Sequence, residues 1–344
     1  MDETQTNQPK RRELSNLTKR CLTAAVYVAV LFLFFVLKLF LSDLFFDALI
    51  LALALIGTWE MTRAFKDKMH GSQKTIVMVF AALIIVTYSL ADYYFQDLLQ
   101  VKLPTGGILD EEGSLDPEII RSLMGRNYSL HITFVVFMTG ISVLLALLVF
   151  AHKNVTLEST GYALLSYMYP SFLLLVLSVC NHLQIYSELA LLFIFVVSPF
   201  ADTFAFFFGK LFGKYLPAKM APSISPKKTL IGGLGGLIGG AIGAVAIFFT
   251  CYGLTRLDGS VLSLGWSIGI TPKNLIFFIG VGILTSAFSQ FGDLVESAIK
   301  RKLEIKDMGK ILPGHGGILD RIDSSLYAGL IVCLAMVVRI MMMI

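Results

Sequence analysis

Residues 22–41 read LTAAVYVAVLFLFFVLKLFL and contain one charged side chain, Lys38. A helix needs about 20 apolar residues to cross the ~30 Å hydrocarbon layer of a bilayer, so this run is long enough to span it. The run is too long for the apolar core of a signal peptide, which has about 7–15 residues. Of the 344 residues in the chain, 56% are hydrophobic and 15% are charged, and this composition excludes a water-soluble fold.

Apolar runs of similar length recur along almost the whole chain. The predicted spans are residues 22–41, 44–62, 75–95, 131–151, 160–180, 187–207, 231–253, 272–292 and 321–342. We therefore predict an all-α, polytopic integral membrane protein with about nine transmembrane helices. Residues 1–20 are polar and end in basic residues, which predicts a disordered cytoplasmic tail. Residues 96–130 hold prolines, glycines and acids, which predicts an extracytoplasmic loop.

The basic residues are concentrated in alternate loops. With a cytoplasmic N-terminus, the inner loops hold Arg63, Lys66, Lys68, Lys74, Lys153, Lys210, Lys214, Lys219, Lys227, Lys228 and the cluster at 300–321. The outer segments are poorer in cations, and the loop at 254–272 offers only Arg256. Because cytoplasmic loops collect Lys and Arg, this bias predicts a polar site that faces the cytoplasm.

A carboxylate interrupts the sixth predicted span. Asp202 lies inside it and is followed by Gly209-Lys210 and Gly213-Lys214. An acid within a membrane costs a few kcal/mol unless it is paired or bound to a metal, so it marks a functional site by default. The alternative is that Asp202 lies at the membrane interface and only faces water.

A short motif, Ser225-Pro226-Lys227-Lys228-Thr229, precedes the seventh predicted span. The two hydroxyls can donate hydrogen bonds to phosphate oxygens, and the two lysines are point charges suited to a polyphosphate. The N-terminus of the following helix adds free N–H groups and the positive end of a helix dipole. Alone, a lysine pair beside a membrane helix is more often a topology determinant.

Small residues recur at helical spacing in the seventh span. Residues 231–243 read IGGLGGLIGGAIG. Such a repeat lets a neighbouring helix approach closely in lipid. It favours a packing seam over a ligand-binding role.

A charged segment, SQFGDLVESAIKRKLEIKDMGKILPGHGGILDRIDS, occupies residues 289–324. Asp293, Glu296 and Lys300 are spaced so that they share one face if the eighth helix continues past the membrane. Five cations between residues 300 and 310 supply the positive charge that a triphosphate requires. Asp320 and Asp323 lie about one turn apart where the ninth helix begins, and such paired carboxylates suit Mg²⁺.

These residues also have structural interpretations. An acid at a helix start, such as Asp320, is more often a cap or a partner of the helix dipole. A lone His315 is more often a solvated loop residue, and a basic run also suits anionic lipid headgroups. The density of charge in a chain almost free of it nevertheless favours a ligand site.

The segment from Ser297 to Asp323 resembles the signature of the phosphatidate cytidylyltransferase (CDP-diacylglycerol synthase) family. The signature residues are Ser297, Lys300, Arg301, Lys306, Asp307, Pro313, His315, Gly316, Gly317, Asp320, Arg321 and Asp323. The stretch after Asp202 and the Ser-Pro-Lys-Lys-Thr motif resemble the family's upstream motifs. Two positions depart from the pattern: Ile231 stands where the family commonly has an acid, and Phe206 where many members have a tyrosine.

The resemblance implies a nucleotidyltransferase of phospholipid biosynthesis, which converts CTP and phosphatidic acid into CDP-diacylglycerol and pyrophosphate. The alternatives are a CTP-dependent lipid kinase or an isoprenoid-lipid cytidylyltransferase. A transporter with Asp202 in its route is less favoured, because the acids gather at one face rather than near the membrane midplane.

The resemblance also implies roles for individual residues. The catalytic set is Asp293, Lys300, Arg301, His315, Asp320 and Arg321, and the substrate-binding set is Ser225, Lys227, Lys228, Thr229, Lys306, Asp202 and Lys210. Mg²⁺ is expected on Asp293, Asp320 and Asp323, with a second cation left open. Residues 21–180 are then N-terminal transmembrane helices and residues 181–344 the catalytic transmembrane region.

The expected partners are CTP, phosphatidic acid and the lipid bilayer. No nucleic acid is expected, and a homodimer is left open. The expected location is the plasma (inner) membrane of a bacterium, which the chain crosses several times, with the site on the cytoplasmic side.

Overall fold

The computed structural model describes residues 16–99, 127–183, 186–257, 271–312 and 316–342. Nine helices in these residues are long and apolar enough to cross a membrane. They are α1 (Asn16–Phe40), α2 (Asp43–Ala64), α3 (Gly71–Leu99), α4 (Asn127–Phe150), α5 (Leu157–Asn181), α6 (Ser187–Phe212), α7 (Leu230–Leu257), α8 (Pro272–Lys302) and α9 (Leu319–Met341). The predicted all-α, polytopic membrane architecture is confirmed.

Two segments that were predicted to be irregular are helical at their ends. Because α1 begins at Asn16, residues 16–20 are helical and do not belong to a disordered tail. Neither Gly nor Pro interrupts this stretch, so the helix extends beyond the apolar run. The predicted loop at 96–130 is also shorter, since α3 ends at Leu99 and α4 begins at Asn127. The rest of both predictions, residues 1–15 and 100–126, lies outside the described part of the chain.

Two helices contain a wider, five-residue π turn. The turn in α5 is Met168–Phe172 and includes Pro170, and the turn in α6 is Phe193–Val197 and is soon followed by Pro199. A proline lacks a backbone N–H and clashes with the carbonyl one turn before it, and a π turn accommodates both effects. The turn in α6 lies just before Asp202, so the helix is locally irregular where the predicted site begins.

A two-stranded antiparallel hairpin connects α6 to α7. Its strands are β1 (Lys219–Ala221) and β2 (Ser225–Thr229). The Ser-Pro-Lys-Lys-Thr motif therefore forms a strand, whereas the sequence indicated only a segment leading into a helix. Pro226 is compatible with a strand because the hairpin has only edge strands. The Thr229 hydroxyl accepts a hydrogen bond from the N–H of Gly232 at 3.1 Å and so caps the start of α7.

The glycines of α7 lie against α6 and α8, as the packing-seam interpretation predicted. A methyl group added to Gly239 would lie 2.6 Å from Cβ of Phe204. One added to Gly240 would lie 2.5 Å from Cβ of Ser286 and 2.6 Å from the carbonyl oxygen of Gly282. Only glycine permits the helix backbones to approach this closely, so the seam fixes the position of α7 between its neighbours.

We expect Gly240→Ala to lower the thermal midpoint of the purified protein in detergent by several degrees, because overpacking a tight interface costs about 1–3 kcal/mol. Gly280→Ala is the matched control, since among the described residues no atom apart from its chain neighbours and its own helix backbone lies within 4 Å of the added methyl group. The control is expected to leave the midpoint unchanged or slightly raised. Equal midpoints for the two variants would contradict a close contact at Gly240.

A buried polar network joins α2, α3 and α5 at the end of the bundle where α1 meets α2. Nε2 of His182 lies 2.5 Å from Oδ2 of Asp47, and Nδ1 lies 2.8 Å from Oδ2 of Asp92. Lys38 forms an ion pair with Asp43 close by. Buried charges require such partners, so this network links the three helices. It lies at the end of the bundle opposite Asp202 and Asp293, since successive spans alternate in direction.

Candidate active site

Asp202 and several polar residues that follow it in the sequence line one side of a cavity of about 510 Å³ between α1, α6, α8 and α9. Its polar wall includes Asp202, Asp293, Lys300, Asp320, Arg321 and Asp323. Its apolar wall includes Val28, Leu31, Phe32 and Phe35 of α1 and Phe195 and Val196 of α6. We refer to it as the apolar-walled cavity. Such a space suits a molecule that has both a charged head and an apolar body.

A second cavity of about 530 Å³ lies between the hairpin, α6, α7 and α8. Its walls include three cations, Lys210, Lys227 and Lys228, together with Thr229 and the glycines Gly209, Gly232 and Gly233. We refer to it as the glycine-lined cavity. Glycines let the backbone approach a ligand closely, and the lysines supply positive charge for phosphates. Asp202 and Asp293 line both cavities, which therefore share a carboxylate wall.

Asp202 forms part of this shared wall, and the residue is exposed. It belongs to a helix that is long and apolar enough to span the membrane. Asp202 therefore lies in a membrane-spanning helix and faces a cavity inside the bundle. Among the described residues, no ion pair neutralises Asp202, so its carboxylate is accessible to a ligand or cation.

Asp293 on α8 forms an ion pair with Lys228 on β2. The hydroxyl of Ser297 lies 3.2 Å from its other carboxylate oxygen and donates to it. The ion pair joins two motifs that are 65 residues apart in the sequence. It places the Ser-Pro-Lys-Lys-Thr motif against the charged face of α8, on the same side of the bundle.

The predicted face of Asp293, Glu296 and Lys300 exists, because α8 continues to Lys302. Nζ of Lys300 lies 2.5 Å from Oε2 of Glu296 and 2.7 Å from Oδ1 of Asp320. Glu296 is completely buried, and Asp320 is 9% exposed. Lys300 is therefore the cation that connects the end of α8 to the start of α9.

Asp320 accepts hydrogen bonds at both oxygens. Besides Lys300 at Oδ1, the N–H groups of Met308 and Gly317 donate to Oδ2 at 2.9 and 2.8 Å. These contacts fold the segment between α8 and α9 around the carboxylate. Asp323 accepts a hydrogen bond from the N–H of Ser324 at Oδ1, at 2.7 Å, and lines the apolar-walled cavity.

The structure brings most, but not all, of the predicted site residues to these cavities. Nε of Arg301 donates to the carbonyl of Ile224 at 3.2 Å and so holds the hairpin turn. Lys306 is exposed, and neither it nor Ser225 is among the residues that line the two cavities. His315 lies outside the described residues.

The two departures from the family pattern have different surroundings. Phe206 lines the glycine-lined cavity, and Nζ of Lys210 lies 5.9 Å from its ring centroid. A phenyl ring can therefore hold this lysine by a cation–π contact without a hydroxyl. Ile231 is not among the residues that line either cavity, although the next residue, Gly232, lines the glycine-lined cavity.

The shared carboxylate wall has suitable donors for a hard divalent cation. Asp202 and Asp293 line both cavities, and Asp323 lines the apolar-walled cavity. No group of three or more acidic, histidine or cysteine side chains among the described residues is already arranged around a metal position. Mg²⁺ in proteins typically binds through few carboxylates and completes its shell with water and substrate phosphates.

Sequence reasoning missed Glu60 of α2. This side chain is completely buried, and its carboxylate accepts hydrogen bonds from the N–H groups of Ile318 and Leu319 at the start of α9. The available signal was an acid inside the second predicted span, which is costly unless it has partners.

Comparison with known proteins gives a consistent result. Residues 119–339 match the model of the cytidylyltransferase family. The chain is 41% identical over 129 residues to phosphatidate cytidylyltransferase 5, chloroplastic, of Arabidopsis thaliana, covering 38% of this chain and 27% of the relative. It is 39% identical over 138 residues to a phosphatidate cytidylyltransferase of Staphylococcus aureus (strain COL), covering 40% and 45%. It is 31% identical over 188 residues to that of Bacillus subtilis (strain 168), covering 55% and 62%.

The matches to these relatives span between about a quarter and three fifths of their lengths. The family match is broader and covers well over half of this chain, including α4 to α8, the hairpin and nearly all of α9. Every cavity residue from Asp202 to Asp323 falls within it. The chain belongs to the cytidylyltransferase family.

Proposed function

We propose that this protein is a phosphatidate cytidylyltransferase, which transfers the cytidylyl group of CTP to phosphatidic acid. The proposal depends chiefly on one observation: an apolar-walled cavity and a cationic, glycine-lined cavity meet at Asp202 and Asp293. A lipid phosphate and a nucleotide triphosphate require this pair of environments side by side. The names of the relatives support the same activity.

Phosphatidic acid is assigned to the apolar-walled cavity. Val28 and Phe32 of α1 line this cavity and are also exposed on the helix surface. The acyl chains can therefore remain in the bilayer and enter sideways along α1, while Arg321 and Lys300 face the headgroup phosphate. CTP is assigned to the glycine-lined cavity, where Lys210, Lys227 and Lys228 surround its phosphates.

In the proposed reaction an oxygen of the lipid phosphate attacks the α-phosphorus of CTP. A new P–O bond forms, the bond to the β-phosphate oxygen breaks, and pyrophosphate leaves with the bonding electrons. The nucleophile is already an anion at neutral pH, so the chain needs no strong general base. Its task is to hold two mutually repelling anions in line and to neutralise the charge that develops on pyrophosphate.

Asp202 and Asp293, which line both cavities, are the proposed ligands of Mg²⁺ or another divalent cation. When bound, the cation supplies positive charge to phosphate oxygens at the shared wall. Asp320, whose two oxygens already accept three hydrogen bonds, is assigned instead to holding the segment before α9. Lys228 forms an ion pair with Asp293 and so supplies a further positive charge at this wall.

The site is assigned to the cytoplasmic side of a plasma membrane. The same end of the bundle carries Arg63, Lys210, Lys227 and Lys228, and cytoplasmic loops collect such residues. CTP is also a cytoplasmic metabolite. Labelling of single introduced cysteines by an impermeant thiol reagent in intact cells tests this orientation.

The decisive experiment incubates the purified protein in detergent with phosphatidic acid, Mg²⁺ and CTP labelled in the α-phosphate. We expect the label to enter the lipid phase and pyrophosphate to appear in equal amount. Excess EDTA is expected to abolish transfer, and added Mg²⁺ to restore it. Parallel reactions with γ-labelled CTP and with isoprenyl phosphates test the alternatives. Lipid labelling by the γ-phosphate would select a kinase, and transfer only to isoprenyl phosphate would select the other cytidylyltransferase.

A further inference from the structure

Glu60 lies on α2, far in sequence from the residues that line the two cavities. Its side chain is completely buried. The N–H of Ile318 donates to its Oε1 at 3.1 Å, and the N–H of Leu319 donates to its Oε2 at 2.9 Å. Both oxygens of one carboxylate therefore bind the backbone at the start of α9.

These contacts replace a cap that α9 lacks. The first N–H groups of a helix have no partner within the helix, and the residue before α9, Ile318, has no side chain that can accept from them. A carboxylate is the favourable acceptor there, because its charge also interacts with the positive end of the helix dipole. Glu60 supplies this acceptor from a different helix.

The segment before α9 also fits closely around this carboxylate. A methyl group added to Gly317 would lie 2.5 Å from both oxygens of Glu60. On the other side of the segment, the N–H of Gly317 donates to Asp320 at 2.8 Å. Glu60 and Asp320 thus hold the same backbone from two directions, and the first turn of α9 has little freedom to move.

We infer that Glu60 is a positioning residue for the transfer reaction, and this inference rests on the proposed function. Glu60 fixes the first turn of α9 and thereby sets where Asp320, Arg321 and Asp323 enter the apolar-walled cavity. It lines neither of the two cavities to which the reactants are assigned. The family match covers residues 119–339, so Glu60 lies outside it and belongs to the N-terminal helices that the signature does not include.

Glu60→Gln keeps the size of the side chain but replaces one carboxylate oxygen by an amide N–H₂. That group cannot accept the hydrogen bond of a backbone N–H. We expect kcat to fall about 10- to 100-fold, as is typical when the support of a site residue is removed. We expect KM for phosphatidic acid to rise, because its cavity includes the first turn of α9. KM for CTP is expected to stay within about twofold, because the glycine-lined cavity contains no residue of α9.

Glu60→Asp retains the charge but has a shorter reach, and its loss of kcat is expected to lie between those of the wild type and Glu60→Gln. If Glu60→Gln fails to fold, this milder variant carries the same comparison. Asp67→Asn is the matched control, since it removes an exposed carboxylate near the same end of the bundle. It is expected to leave all kinetic constants unchanged.

Two further measurements separate positioning from a loss of folded protein and from failure of the proposed function. CTP-binding stoichiometry by equilibrium dialysis is expected to match the wild type in Glu60→Gln, and a decrease in proportion to kcat would overturn the inference.

Amide hydrogen exchange at Ile318 and Leu319 is expected to accelerate in Glu60→Gln and tests the capping contact without any assay of activity. Unchanged exchange and wild-type kinetics would also overturn it. An inactive wild type with accelerated exchange in the variant would refute the proposed function alone.

Discussion

Asp293→Asn is expected to reduce kcat for cytidylyl transfer by about 1,000-fold or more. Asp293 lines both cavities, so its carboxylate is adjacent to the lipid phosphate and to the nucleotide phosphates in the proposed arrangement. The amide keeps the shape of the side chain but removes the charge that holds a divalent cation, and losses of this size accompany removal of a group that stabilises the transition state electrostatically. Transfer of α-phosphate label to lipid measures the effect.

The same substitution is not expected to unfold the protein. Asp293 faces a cavity, so the lysine that loses its partner, Lys228, remains solvated. The thermal midpoint in detergent is expected to change by only a few degrees, and the Mg²⁺ concentration for half-maximal rate to rise. Glu304→Gln, at an exposed acid shortly after α8, is the control and is expected to have full activity. A variant Asp293→Asn with wild-type turnover would remove this residue from the cation site.

The membrane architecture could be predicted because it depends on the length of apolar runs. Each of the nine predicted spans corresponds to a helix, and the boundaries differ mainly where a helix continues into polar sequence. The largest such difference is at α8, which extends to Lys302 and not to residue 292. Hydropathy ends at the membrane surface, whereas helix propensity does not, so the length of a helix outside the membrane is poorly predicted from apolar residues alone.

The composition of the site could also be predicted, but its pairings could not. The sequence indicated that Asp293, Lys228 and Asp320 belong to one site. It gave no means of deciding that Lys228 pairs with Asp293 or that Lys300 pairs with Asp320. Such choices depend on how helices far apart in sequence pack together. Arg301 was expected in the catalytic set, and its contact with Ile224 could not be predicted for the same reason, since that contact exists only because a hairpin lies beside α8.

Residues of the N-terminal helices were the hardest to predict. The apolar wall from α1 has the composition of any lipid-facing helix, so Phe32 and Leu31 carry no local signal of a cavity. Glu60 was a buried acid with no motif around it, and its partners are backbone N–H groups that belong to every residue. Backbone partners leave no pattern in side-chain identity, and only the three-dimensional arrangement reveals them.

Lys300→Met is expected to have the largest combined effect on stability and activity. Lys300 is the one cation found in contact with both Glu296 and Asp320 among the described residues. Glu296 is completely buried, and both acids lie on helices of the membrane region. Removing one partner of a buried ion pair costs about 3–5 kcal/mol, because the remaining charge is left without compensation. We expect the thermal midpoint to fall by ten degrees or more and transfer to become undetectable.

Neutralising a carboxylate separates the two effects. In the double variant Lys300→Met with Glu296→Gln, one uncompensated charge is removed, so we expect much of the lost thermal midpoint to return. Transfer is expected to stay at least about 1,000-fold below the wild type, because a cation is still missing from the polar wall that faces the lipid phosphate. Recovery of stability and activity together would show that Lys300 acts only by neutralising Glu296. Recovery of stability alone would support a role for its ammonium group in the reaction.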